Sequence, residues 1–152
     1  MRLFLLFGFL LAAASYCQAQ SAPVVIDTAT IRRVGADEHG MKSYVFVLLK
    51  RGANKDTSKA KRREAFNGHF ANMKRLAEDG KLMLAGPYDD PAGDWAGLFI
   101  LDVRKVEDAK PIVLTDPAVK AGYLSYELHQ WYGSAAVSLI PKLHPTLQAK
   151  PW

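Results

Sequence analysis

Apolar and polar positions along the chain fall into a small number of regular patterns. "SYVFVLLK", Ser43 to Lys50, is almost continuously apolar and β-rich, which predicts a strand buried on both faces. "RGANKDTS" reads as a loop whose Asp56 or Ser58 can cap a following helix. That helix is predicted over 59–79, with Phe66, Phe70, Met73, Leu76 and Ala77 forming an apolar stripe at three- and four-residue spacing. Gly80 is its expected left-handed stop. "KLMLAGPY" is a short second strand ended by Gly86-Pro87, and "DDPAGD" a turn-rich connector. "WAGLFILDV", Trp95 to Val103, is a third strand. A second helix is expected from about Asp108 to Val113 or Leu114, with Pro111 tolerated only in its first turn, where the missing N–H has no helical partner. "YLSYELHQWYG", Tyr123 to Gly133, is a fourth strand, and residues 136–152, with three prolines, read as an irregular tail.

The order is β-α-β followed by β-α-β. It predicts an α+β, ferredoxin-like βαββαβ domain over 43–135, with a four-stranded antiparallel sheet and both helices on one face. The helices cover only that face, yet the first strand is apolar on both. A second subunit, sheet against sheet, is the natural cover, so a homodimer is expected.

The first residues do not belong to that pattern. Met1-Arg2, the apolar run from Leu3 to Ala14 and "SYCQAQSAP" form the three parts of a secretory signal peptide over 1–19, with cleavage expected after Ala19. The run is short for a membrane span. The expected location is therefore periplasmic or secreted, with no membrane attachment after cleavage. A lipoprotein through Cys17 is the alternative, although Tyr16 is bulky where such signals prefer a small residue. Cleavage after Ala19 removes the single cysteine, and with it any disulfide or thiol nucleophile. Residues 20–42 form a lead-in. There Asp27 can cap a short helix through Val34, stopped by Gly35, or Val24-Val25-Ile26 can form a strand.

The formal charge of +5 falls by one with Arg2 and is mild. Lys59, Lys61, Arg62 and Arg63 cluster without interleaved aromatics, which fits a solvated helix start rather than a nucleic-acid patch. His39 lies beside Asp37 and Glu38 in a loop with no fourth ligand evident.

Chemistry is best sought in the fourth strand and the first long helix. Period two places Leu124, Tyr126 and Leu128 on the face that packs beneath helices, and Ser125, Glu127, His129 and Trp131 on the other. The second set is polar, titratable and aromatic, and suits either a pocket between subunits or a wet dimer interface. His69 stands on or beside the helix stripe, where leucine would pack better. It is either a core histidine or a proton-transfer group.

"HFANMKRLAEDGKLMLAGP", followed by "GLFILDV", "EDAKPIVLTDPAVKAG" and "ELHQWYGSA", resembles the YCII-related (YciI-like) family over residues 42–135. The resemblance rests on the helical histidine, the Gly-Pro after the second strand and the "DP…AG" after the second helix. It implies a ferredoxin-like fold that dimerises as an α/β barrel, with a histidine–aspartate active site that falls here on His69 and Asp116. By the same analogy Gly86, Pro87, Ser125, Glu127, His129 and Trp131 line the substrate site. The family includes a dehydrochlorinase acting on a chlorinated hydroxyquinol. An aspartate before a proline, as in Asp116-Pro117, otherwise serves to shape a turn.

A carboxylate on one imidazole nitrogen fixes the tautomer and leaves the other nitrogen free to act as general base or acid. No G-x-S-x-G elbow, phosphate loop or dinucleotide fingerprint occurs, so no cofactor is expected. A metal would require His69, Asp116, Glu127 and His129 to converge, and their spacing gives no support for that, so no metal is expected either. Two functions follow. One is a lyase- or isomerase-type enzyme acting on a small aromatic or enol substrate. The other is a non-catalytic dimer that binds a small ligand or a protein.

Overall fold

The computed structural model describes residues 24–150. The signal-peptide reading over 1–19 lies outside the described residues. Helix α1, Thr28–Val34, begins where Asp27 accepts a hydrogen bond from the Thr30 amide and ends at Gly35 in the left-handed region. Of the two lead-in readings the helix forms and the strand does not. Val24, Val25 and Ile26, the residues of the strand alternative, are strongly exposed.

Strand β1, Met41–Arg51, is followed by α2, Lys59–Glu78, β2, Leu82–Pro87, β3, Trp95–Leu101, α3, Val106–Val113, α4, Pro117–Lys120, and β4, Leu124–Ser134. The sheet order is β2-β3-β1-β4, and every neighbouring pair is antiparallel. This is the ferredoxin-like order, with β1 and β3 central. Ser58 caps α2 by accepting from the Lys61 amide, and Gly80, at φ 67°, turns the chain out of it.

The doubly buried reading of β1 holds. Val45, Val47 and Leu49 join Leu76, Leu82, Phe99, Leu101, Ala109, Val113, Ala118 and Leu124 in the core beneath the helices. Tyr44, on the opposite face of β1, packs with Met83 and Ile100 in a second cluster. Part of the cover for that face comes from the chain itself. The expected irregular tail is ordered over much of its described part, residues 136–150. Ala135–Leu139 make a 3-10 turn, and Ile140–Leu147 a fifth helix, α5, with Pro141 at its start where no N–H is needed. Val137 packs on the second cluster, and Ser138 Oγ lies 3.0 Å from the Tyr44 hydroxyl. The other half of that face, with Phe46, Leu84 and Leu98, is left partly exposed.

α3 also departs from expectation. It starts at Val106 rather than Asp108, which puts Pro111 in its second turn, at the cost of one internal hydrogen bond. Val106, Ala109 and Val113 face the core at helical spacing, and their burial sets the earlier start.

The lead-in is tied down at Asp37. Its carboxylate accepts from the Tyr132 hydroxyl and from the Met41 and His39 amides. The Tyr132 bond, more than the two amides, holds its pKa below the ordinary 3.8. A depressed carboxylate stabilises the fold at pH above the ordinary value, and loses that contribution as pH falls through the lowered folded value. Asp37→Asn is therefore expected to lower the unfolding midpoint near neutrality, with the difference from wild type closing below pH 3.8. Thermal melts of both proteins across that range provide the check.

Candidate active site

The site begins with the inward face of α2. Ala65, His69, Asn72 and Leu76 are the buried residues of this helix, with Phe66 and Met73 partly buried beside them. The stripe therefore passes through His69 and Asn72, and Phe70, which the spacing put in the core, is 54 % exposed. Sequence reasoning missed Asn72. The available signal was its position three residues after His69, on the same helical face.

Across from this face runs the junction of α3 and α4. Gly68 allows the close approach: a Cβ there would lie 2.8 Å from Pro117 Cγ. The adjacent pair meets directly, with His69 Nδ1 2.6 Å from Asp116 Oδ2. A carboxylate has no proton to give, so Nδ1–H donates, and in the neutral imidazole Nε2 carries the lone pair. The side chains of His69 and Asp116 keep only 9 % and 1 % of their surface exposed. The other carboxylate oxygen of Asp116 accepts from the Ala118 amide at 2.8 Å and caps α4. The turn-shaping and histidine-orienting readings of Asp116 are thus both present in one side chain.

Aromatic rings enclose the imidazole. Phe99 stacks on it at 5.9 Å and 21°, and Phe66 and Phe70 meet it edge-on at 5.8 and 5.4 Å. Nε2 makes no hydrogen bond among the described residues. One turn further along α2, Asn72 Oδ1 accepts from Arg75 at 2.8 Å and from Thr115 Oγ1 at 3.0 Å. Arginine can only donate, so this bond fixes the orientation of the amide. Asn72 Nδ2 is then buried without a partner. An unsatisfied buried donor costs about 1–3 kcal/mol.

The other residues singled out in the sequence lie elsewhere. Phe99 and Leu128 face the helices, whereas Glu127, His129 and Trp131 project from the opposite face of the sheet, paired across from Leu48, Phe46 and Tyr44. Within one chain, Glu127 and His129 therefore do not line a common site with His69, nor can the four titratable groups converge on a metal. Trp131 packs on Tyr44 at 5.5 Å. Tyr132, next to it, donates to Asp37. Lys50 donates to Glu127 at 2.9 Å and holds its carboxyl below the usual range, with His129 Nε2 3.5 Å from the same carboxylate. Ser125 is exposed and donates to the Arg51 carbonyl. Gly86 and Pro87 end β2 opposite Leu98 and Gly97. A cleft of about 450 Å³ opens beside the start of α2, lined in part by Ala65, Pro117, Ala121 and Tyr123. The His69–Asp116 pair does not line it, although Pro117 follows Asp116 in the chain and Ala65 lies one helical turn before His69.

The family profile of the YCII-related domain matches residues 45–132, more than half of the chain and all four strands in whole or part. The chain belongs to the YCII-related domain family. Among relatives, this YCII-related chain is 29 % identical to the uncharacterized protein YjpA of Bacillus subtilis (strain 168) over 75 residues, covering 46 % of the chain and 85 % of that protein. Among solved structures, it is similar to 5-chloro-2-hydroxyhydroquinone dehydrochlorinase (TftG) from Burkholderia phenoliruptrix AC1100, in complex with 2,5-dihydroxybenzoquinone. That likeness has 20 % identity and a TM-score of 0.41, and covers 57 % of this chain and 92 % of the other.

Proposed function

We propose that this protein is a small-molecule enzyme of lyase or isomerase type in which His69 transfers a proton and Asp116 orients it. The observation that carries the reading is the buried 2.6 Å bond between His69 Nδ1 and Asp116 Oδ2, which leaves Nε2 without a protein partner inside an aromatic enclosure. Nε2 is the atom that takes a proton from a ring hydroxyl, or from a carbon beside a carbonyl. As the imidazolium forms, the Asp116 carboxylate stabilises it through Nδ1–H, and the ring then returns the proton to the leaving group or to a second carbon. The aromatic enclosure and the exposed, edge-on Phe70 favour a flat aromatic or enol substrate. No step requires a metal or a cofactor.

The proposal extends to the chain's setting: an exported protein that acts as a homodimer. The partly exposed half of the second sheet face, with Phe46, Leu84 and Leu98, supports self-association there. A solution mass of one chain at micromolar concentration would remove that part of the reading.

The chemistry is tested by hydrogen exchange at carbon. Di- and trihydroxybenzenes and 1,3-diketones are incubated with the protein in D₂O, and proton NMR follows the loss of ring and α-carbon signals. Wild type is expected to accelerate exchange for at least one class, and His69→Ala to lower that rate by about 10²–10⁴-fold, the usual contribution of a positioned acid–base group. Exchange at the buffer rate throughout would reject the enzyme reading. Saturable binding without exchange would favour a ligand-binding module instead.

A further inference from the structure

We infer that Asn72 is a positioning residue for the His69–Asp116 pair, acting through Thr115; the inference rests on the proton-transfer reading above. Three of the contacts between α2 and residues 115–117 run in opposite directions along the two segments. Gly68 meets Pro117, His69 bonds Asp116 and Asn72 bonds Thr115. The first is a steric contact that limits approach without fixing direction. The third is the polar rung next to the pair, and it sets where residue 115, and hence residue 116, lies along the helix.

The rung is built with some redundancy. Arg75 donates both to Asn72 Oδ1 at 2.8 Å and to Thr115 Oγ1 at 3.3 Å, and Asp79 holds the arginine at 2.9 Å. The single Thr115 hydroxyl proton is shared between Asn72 Oδ1 at 3.0 Å and the Ile112 carbonyl at 2.7 Å, a bifurcated bond that ties the rung to the end of α3. Apart from the histidine, Asp116 is held by the Ala118 amide on its side chain, by its own amide's bond to the Val113 carbonyl and by the Lys120 amide on its carbonyl. None of these constrains it relative to α2.

The alternative is that Asn72 is simply a packing residue. Its surroundings argue otherwise. The residue is 8 % exposed and lies between His69 and Leu76 on the buried face, where an aliphatic side chain would leave no donor unsatisfied. The amide keeps its buried Nδ2 without a partner and uses its oxygen wholly for Arg75 and Thr115. Fixing residue 115 is what the amide accomplishes that leucine could not.

The experiment reads the histidine directly and needs no substrate. Long-range proton–nitrogen NMR of the imidazole, on the full chain labelled with ¹⁵N, reports which ring nitrogen carries the proton. Wild type is expected to show His69 protonated at Nδ1, with a downfield, hydrogen-bonded Nδ1 proton. Asn72→Leu and Thr115→Val are each expected to lose that proton signal and shift the ring toward the Nε2-protonated form. Thr115→Ser, which restores the hydroxyl, should return the wild-type spectrum. Thr115 is exposed, so if Asn72→Leu fails to fold the threonine pair decides alone. Folded variants that keep the wild-type tautomer and Nδ1 proton would overturn the inference, as would a wild-type His69 protonated at Nε2. Failure of the enzyme reading appears separately, as absence of carbon exchange in wild type whatever the imidazole shows.

Discussion

Asp116→Asn is expected to lower any His69-dependent exchange rate by about 10²–10⁴-fold while leaving the protein folded. Asparagine caps helices about as well as aspartate, so the bond from the Ala118 amide can survive the change. What it cannot supply is a charge that accepts from Nδ1. The amide can instead donate to Nδ1, which would place the imidazole proton on Nε2, the atom that must be free to take one. Two stability effects oppose each other. A charge-assisted hydrogen bond worth about 1.5–3 kcal/mol is lost. A carboxylate with 1 % of its surface exposed no longer has to be desolvated. The net change is expected to stay below about 2 kcal/mol, small beside the effect on rate. The check is the D₂O exchange assay together with a denaturant melt. A wild-type rate in the variant would reduce Asp116 to a helix cap.

The largest loss of stability is expected outside that pair, for Gly52→Ala. A Cβ at residue 52 would lie 2.0 Å from the Gly122 carbonyl oxygen, 2.7 Å from Gly122 C and 2.8 Å from Tyr123 C. All three atoms are backbone, so no side chain can rotate away. The approach is close because the end of β1 bonds the start of β4 here: the Gly52 amide donates to Tyr123 O at 2.8 Å and the Asn54 amide to Gly122 O at 3.0 Å. Gly122 is itself in the left-handed region at φ 71°, so the turn has little freedom to move aside. Relief requires breaking those bonds or shifting β4, for a cost of about 3 kcal/mol or more, the range of severe overpacking. For a domain of this size that is a fall in Tm on the order of 10 °C. A change below about 0.5 kcal/mol would mean the turn is more pliable than its contacts indicate.

The elements were legible where one local signal dominated. The unbroken apolar run of β1, the Ser58 cap, the Gly80 stop and the Asp27–Gly35 brackets of α1 each follow from short-range sterics and hydrogen bonding. The departures all involve competition between local preference and distant packing. Pro111 argued for a late start to α3, but burial of Val106, Ala109 and Val113 outweighed one missing hydrogen bond. Prolines in the tail argued against a helix, yet Pro141 falls at the start of α5, where its ring is harmless, and Pro145 lies inside it at the cost of one internal hydrogen bond. Alternation in β4 separated Glu127, His129 and Trp131 from Leu124, Tyr126 and Leu128 correctly. It carried no information on which face held His69, and the two groups lie on opposite sides of the sheet. The proximity of His69 and Asp116, 47 positions apart in the chain, came from family resemblance; nothing in the local pattern of either residue contains it. Asn72 went unnoticed because a polar residue on a long helix is ordinarily solvated, and only the tertiary structure shows it buried.

Asp116 also links two properties that are usually separable. One oxygen bonds the histidine and the other starts α4, so a substitution at this position is expected to register twice, once in the orientation of the imidazole and once in local folding. The same arrangement offers a substrate-free proxy. The Ala118 amide is bonded to the carboxylate, so its hydrogen-exchange protection tracks how firmly that group is held. A library of variants around the site can therefore be ranked by one backbone resonance before any reaction has been found.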